Sequence, residues 1–129
     1  MDIGNEIIKD FVVSISNRIF RKAFGSPPEF IQDFHTGYAG YADFTITWYV
    51  KALDVISVRF ICLFKFPKLT IQVWADPAEL SDNHRINFGD PNSKDQITRF
   101  FTEKVKTIKK KSKDKKFIRK LIDRKLREY

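Results

Sequence analysis

An α+β domain is the fold class this sequence predicts: an N-terminal helix, an antiparallel sheet of three to five strands, and basic C-terminal helices packed on one sheet face. Three observations carry that expectation. Apolar residues recur at helical spacing from Ile3 to Phe20, alternate at period two between Tyr41 and Ala75, and return to helical spacing after Ser93.

The first helix rests on Ile3, Ile7, Ile8, Phe11, Val12, Ile15, Ile19 and Phe20, which form one stripe on a 3.6-residue period. Its charges suit the helix dipole, with Asp2 and Glu6 at the start and Arg18, Arg21 and Lys22 at the end. Gly25, Ser26, Pro27 and Pro28 stop it, because proline has no N–H for the helical ladder. Residues 29–36 fit an additional strand, and Gly37 and Gly40 mark a turn after it.

The sheet is read from 41–75. Ala42, Phe44, Ile46, Trp48 and Val50 alternate with Asp43, Thr45, Thr47, Tyr49 and Lys51, which buries one face and leaves the other polar. In 55–66, Ile56, Val58, Phe60, Cys62, Phe64 and Phe66 make one wholly apolar face. The opposite face mixes Ser57, Arg59 and Lys65 with Ile61 and Leu63, the pattern of a central strand. Leu69, Ile71, Val73 and Ala75 give a third strand entered through Pro67, and the short connections make the neighbours antiparallel.

Asp76-Pro77-Ala78-Glu79 reads as a helix start with Asp76 as N-cap and Glu79 as its capping-box partner. Residues 84–88 suit a short edge strand. Ser93-Lys94-Asp95-Gln96 is a second capping box, followed by Ile97, Phe100, Phe101, Val105 and Ile108 on a helical stripe. Six lysines in 109–116 interrupt that stripe before Phe117, Ile118, Leu121, Ile122 and Leu126 resume it. The apolar phase does not run through, so two helices meeting at 112–114 are expected. Residues 1–111 are read as a single α+β domain, and 112–129 as a basic helix packed on it or extending from it.

Composition narrows the function classes. The chain of 129 residues carries a net charge of +8, placed unevenly: 15 Lys and Arg stand against 5 Asp and Glu from Lys94 onward, while the preceding part is near neutral. A cationic end on a near-neutral body concentrates anionic partners. The single cysteine excludes an internal disulfide framework and a cysteine-based zinc cluster, and fits a reducing cytoplasm. The first apolar stretch is too charged for a signal peptide, and the longest apolar run is too short to span a bilayer.

Catalytic constellations are weak. Asp33, His35, Asp43, Asp54, Asp76 and His84 are the residues from which a metal-dependent nuclease site would have to be built, but their spacing matches turns and caps equally well. Cys62 lies on an apolar strand face, where a thiol is an inert filler. No glycine-rich phosphate loop is present. No metal ligands, catalytic residues or cofactors are therefore assigned, and a non-enzymatic role is expected.

Two binding surfaces remain. Lys104, Lys106, Lys109, Lys110, Lys111, Lys113, Lys115, Lys116, Arg119 and Lys120 would meet the phosphates of DNA or RNA, with little sequence preference because lysine predominates. A solvated helix face is the plain alternative for such a run, and a membrane surface is the least favoured partner. The second surface is the polar sheet face, where Tyr49, Arg59, Gln72 and Trp74 have the composition of a protein-binding hot spot or a base-stacking platform. An inhibitor or immunity-type module, or a second copy of the chain, would use it. Covering by another part of the fold is its alternative, since Ile61 and Leu63 share the face.

Overall fold

The computed structural model describes residues 3–25, 29–33 and 44–128. Helix α1 (Ile3–Phe24) leads into strands β1 (Glu29–Asp33), β2 (Phe44–Leu53), β3 (Ile56–Lys65) and β4 (Lys68–Asp76). A 3-10 turn (Ala78–Leu80) precedes β5 (Asp82–Asn87), and helices α2 (Ser93–Lys111) and α3 (Lys115–Arg127) complete the order. The five strands form one sheet in sequence order, every pair antiparallel. β3 is central, as its one wholly apolar and one mixed face predict.

The register stacks the apolar residues into cross-strand rows. Trp48 is level with Phe60 and Val73, and Ile46 with Cys62 and Ile71. The helices cover this face: Val12, Ile15 and Phe20 of α1, Ile97, Phe101, Val105 and Ile108 of α2, and Leu121 of α3 join the same buried cluster. Phe101 is the junction. Its ring stacks on Phe60 at 5.7 Å and meets Trp48 and Phe20 edge-on at 5.8 and 6.0 Å. Such pairs add to area burial because ring edges and faces carry opposite partial charge. The Trp48 indole Nε1 donates to Asn17 Oδ1 at 3.1 Å, so burying this ring strands no donor.

Three local expectations shift. In α1, Ile7 is 56% exposed while Ser16 is fully buried, so the stripe reaches the core only through its later turns. Asp76 is not a helix cap: it ends β4, and the following turn is only three residues long with no side-chain cap. A turn that short offers no row of free N–H groups for a capping box, and Asp76 and Glu79 meet cations of α3 instead. At α2 the N-cap is Asn92, not Ser93. Ser93 is buried in the first turn, and the Gln96 amide donates to Asn92 Oδ1 at 2.8 Å.

The break between the basic helices falls at 112–114 as the phase change predicts, and Asp114 caps α3 by accepting from the Phe117 N–H at 3.2 Å. α1 ends where Gly25 adopts a φ of 87°, a left-handed conformation glycine takes without a Cβ penalty. The segment holding His35, Gly37, Gly40 and Asp43 lies outside the described residues.

Candidate nucleic-acid interface

The exposed end of the polar sheet face is built by register. Antiparallel pairing sets Tyr49 opposite Arg59, and Arg59 opposite Trp74, so the three form one row across β2, β3 and β4. Neighbouring strands lie about 4.8 Å apart, which places the two aromatic residues about 10 Å apart with the arginine between them. Tyr49 is 45% exposed and Trp74 56% exposed, and Arg59 is exposed as well. Gln72 lies on the same face two residues before Trp74, and its Oε1 accepts from the indole Nε1 at 3.1 Å. That bond orients the Trp74 ring without covering it. An open groove of about 600 Å³ runs along the row, lined among others by Tyr49, Lys51, Ser57, Arg59, Trp74 and Asp76.

Toward its other end the same face is closed. Ile61 and Leu63 form a small buried cluster separate from the main core, and Thr45 is buried too. Hydrophobic and aromatic residues of this face thus divide between a buried end and an exposed one.

Of the basic residues expected to contact phosphate, Lys106, Lys110, Lys113, Lys115, Lys116, Arg119 and Lys120 are exposed, and Lys109 and Lys111 are half-buried. Among the described residues, none of these nine forms an ion pair within 4 Å. Lys111 instead lies over the Phe117 ring, 4.8 Å from its centroid, holding the α2–α3 turn closed. Lys104 is set apart from the rest: its Nζ lies 2.6 Å from Asp82 Oδ2, at the start of β5.

Ion pairs also tie the basic helices to the sheet. Arg124 makes a two-pronged pair with Glu79, at 3.0 Å to Oε1 and 2.7 Å to Oε2, and Lys125 Nζ is 3.0 Å from Asp76 Oδ2. The Arg124 hydrogen bonds, helped by the nearby charge of Lys111, hold the Glu79 carboxyl below its usual range, and Glu79 raises Arg124 in return. Hydrogen bonding from Lys104 likewise lowers Asp82. Asp76 ends β4, Glu79 lies in the 3-10 turn and Asp82 opens β5, so one short acidic stretch clasps both basic helices. Asp76 also lines the groove beside Trp74, which brings the C-terminal part of α3 to the aromatic end of the sheet.

Of the residues considered for a nuclease centre, Asp54, Asp76 and His84 are occupied separately, and His35 and Asp43 lie outside the described residues. Asp54 pairs with Lys51 at 3.3 Å, Asp76 with Lys125, and the His84 ring lies flat on Phe100 at 5.2 Å. Among the described residues, no three His, Cys, Asp or Glu side chains are placed to hold a metal ion. The residue types of the polar face were legible in the sequence, but which end of it is exposed was not. The acidic clasp was not, because its pairs join residues 45 and 49 positions apart.

No family model, curated protein or solved structure matches the chain. Among the described residues, no helix is long and apolar enough to cross a membrane.

Proposed function

We propose that this protein is a non-enzymatic, intracellular binding protein that holds nucleic acid through the α2–α3 hairpin. One observation carries the reading: seven exposed cations, from Lys106 to Lys120, have no acidic partner among the described residues, while Lys104, Arg124 and Lys125 anchor the hairpin to the sheet. Cations used structurally and cations left to solvent are thus different residues. A rigid array of unpaired charge releases counterions when it meets phosphate, and this supplies affinity with little dependence on sequence. Lysine predominates over arginine in the array, which suits phosphate contact better than two-pronged readout of guanine.

The test is a salt series of fluorescence anisotropy with a labelled oligonucleotide. Binding should be strong at low salt, with log K falling by roughly 0.7–0.9 per phosphate contact for each unit of log salt. Combined Lys110→Glu, Lys113→Glu and Lys116→Glu should remove binding at moderate salt and flatten the slope, since none of these side chains supports the fold. Unchanged affinity in that variant would refute the hairpin as the contact surface.

A further inference from the structure

We propose that the Tyr49–Arg59–Trp74 row is a base-stacking platform, and that through it the protein selects single-stranded nucleic acid over duplex. This rests on the nucleic-acid reading of the hairpin and names the form of the ligand.

Three features of the row fit an unpaired strand. First, two exposed rings about two strand spacings apart allow one base to stack on each. The Arg59 guanidinium between them falls where the linking phosphate would lie, and it also stacks on base faces. Second, the Gln72 hydrogen bond fixes the Trp74 indole in advance, so less side-chain freedom is lost when a base arrives. Third, Arg59 at the centre of the row has no acidic partner among the described residues. Lys51 is held by Asp54 and Asp76 by Lys125, and Glu29 lies opposite Tyr49 at the edge of the row.

The acidic clasp supplies the link to the hairpin. By tying Arg124 and Lys125 to the connection that follows Trp74, it sets the end of α3 beside the aromatic groove. A strand whose phosphates follow α3 therefore reaches the platform at the end of the sheet. A duplex keeps its bases stacked on each other and offers the rings nothing to bind, so it gains only the phosphate contacts.

Anisotropy with oligothymidylate and with a duplex of equal length, on the full chain, separates the possibilities. The wild-type protein should prefer the single strand and show quenched tryptophan emission on binding. Tyr49→Ala and Trp74→Ala should each weaken single-strand binding about tenfold and leave duplex binding unchanged. Trp74→Phe should keep most of the affinity while losing the quench, because a ring remains but the reporter does not. These residues are exposed, and thermal unfolding of each variant would show that the fold is kept.

Equal losses for single strand and duplex, or no loss for the single strand, would overturn the platform. If hairpin charge reversal still removes binding in that case, only the platform falls, and the aromatic row is left to a protein partner. Absence of binding by the wild-type chain to either probe at low salt would overturn both readings.

Discussion

Arg124 grips Glu79 through two hydrogen bonds of 3.0 and 2.7 Å across 45 residues of sequence, and with Lys125 on Asp76 it holds α3 to the end of the sheet. Leu121 is the only fully buried apolar side chain α3 contributes among the described residues, so charge has an unusually large share in placing this helix. Ile122 and Leu126 remain largely exposed. The helix that carries much of the cationic surface is therefore docked by a mechanism sensitive to pH and salt.

That docking has a defined pH dependence. Glu79 and Asp82 are both held below their ordinary values, so the stabilisation they provide is fully present above those values and is lost as pH falls through the lowered ones. Protection factors of the α3 amides, which allow for the fall of intrinsic exchange with pH, should drop below about pH 4.5, where an ordinary glutamate titrates, before those of the sheet amides. In Arg124→Ala, α3 should already exchange faster at neutral pH. Uniform exchange across α3 and β3 in both experiments would show that the clasp does not act locally.

Phe101 joins both helix α1 and the sheet through Phe20, Trp48 and Phe60. Phe101→Ala should cost about 3–5 kcal/mol, since the rings around it belong to three different elements and cannot all close on the void. Urea unfolding followed by tryptophan fluorescence would measure it, with Trp48 reporting on the same site.

Ser16 is fully buried on α1, and among the described residues its Oγ has no hydrogen-bond partner. Removing that hydroxyl removes a desolvation cost and leaves a void of only one atom. Ser16→Ala is therefore expected to stabilise the protein by about 1 kcal/mol in the same urea assay. A loss of comparable size would mean that the hydroxyl makes a bond in solution.

Cys62 lies at the centre of the core with no exposed surface, and burial pushes its thiol far above the ordinary range. A thiol-specific reagent should leave it unmodified in native buffer at pH 8 and label it fully in guanidinium chloride. Rapid labelling of the native protein would show that β3 opens under native conditions.

Most of the architecture was legible in the sequence because it follows from local periodicity. Alternation in 44–75 separated the Trp48–Phe60–Val73 side from the Tyr49–Arg59–Trp74 side, and the mixed second face of β3 marked it as central. The lysine run that breaks the apolar phase marked the boundary between α2 and α3. Less was legible where a motif has a local and a distant use. Asp76 and Glu79 have capping-box spacing, yet their carboxylates are taken by Lys125 and Arg124. The exchange of Ile7 for Ser16 inside α1 has the same origin: spacing defines a stripe, whereas burial depends on which turns lie over the sheet.

By itself, then, the sequence determined the elements, the face on which β2, β3 and β4 meet the main core, and the concentration of positive charge after Lys94. Those properties belong to neighbouring residues and to the periods of two and 3.6 that relate them. Only the tertiary structure decided which cations are tied to carboxylates and which face solvent. It also aligned Tyr49, Arg59 and Trp74 in one row and brought α3 to the end of that row. Strand register and ion pairs spanning more than forty residues set those relations, and no local pattern encodes either.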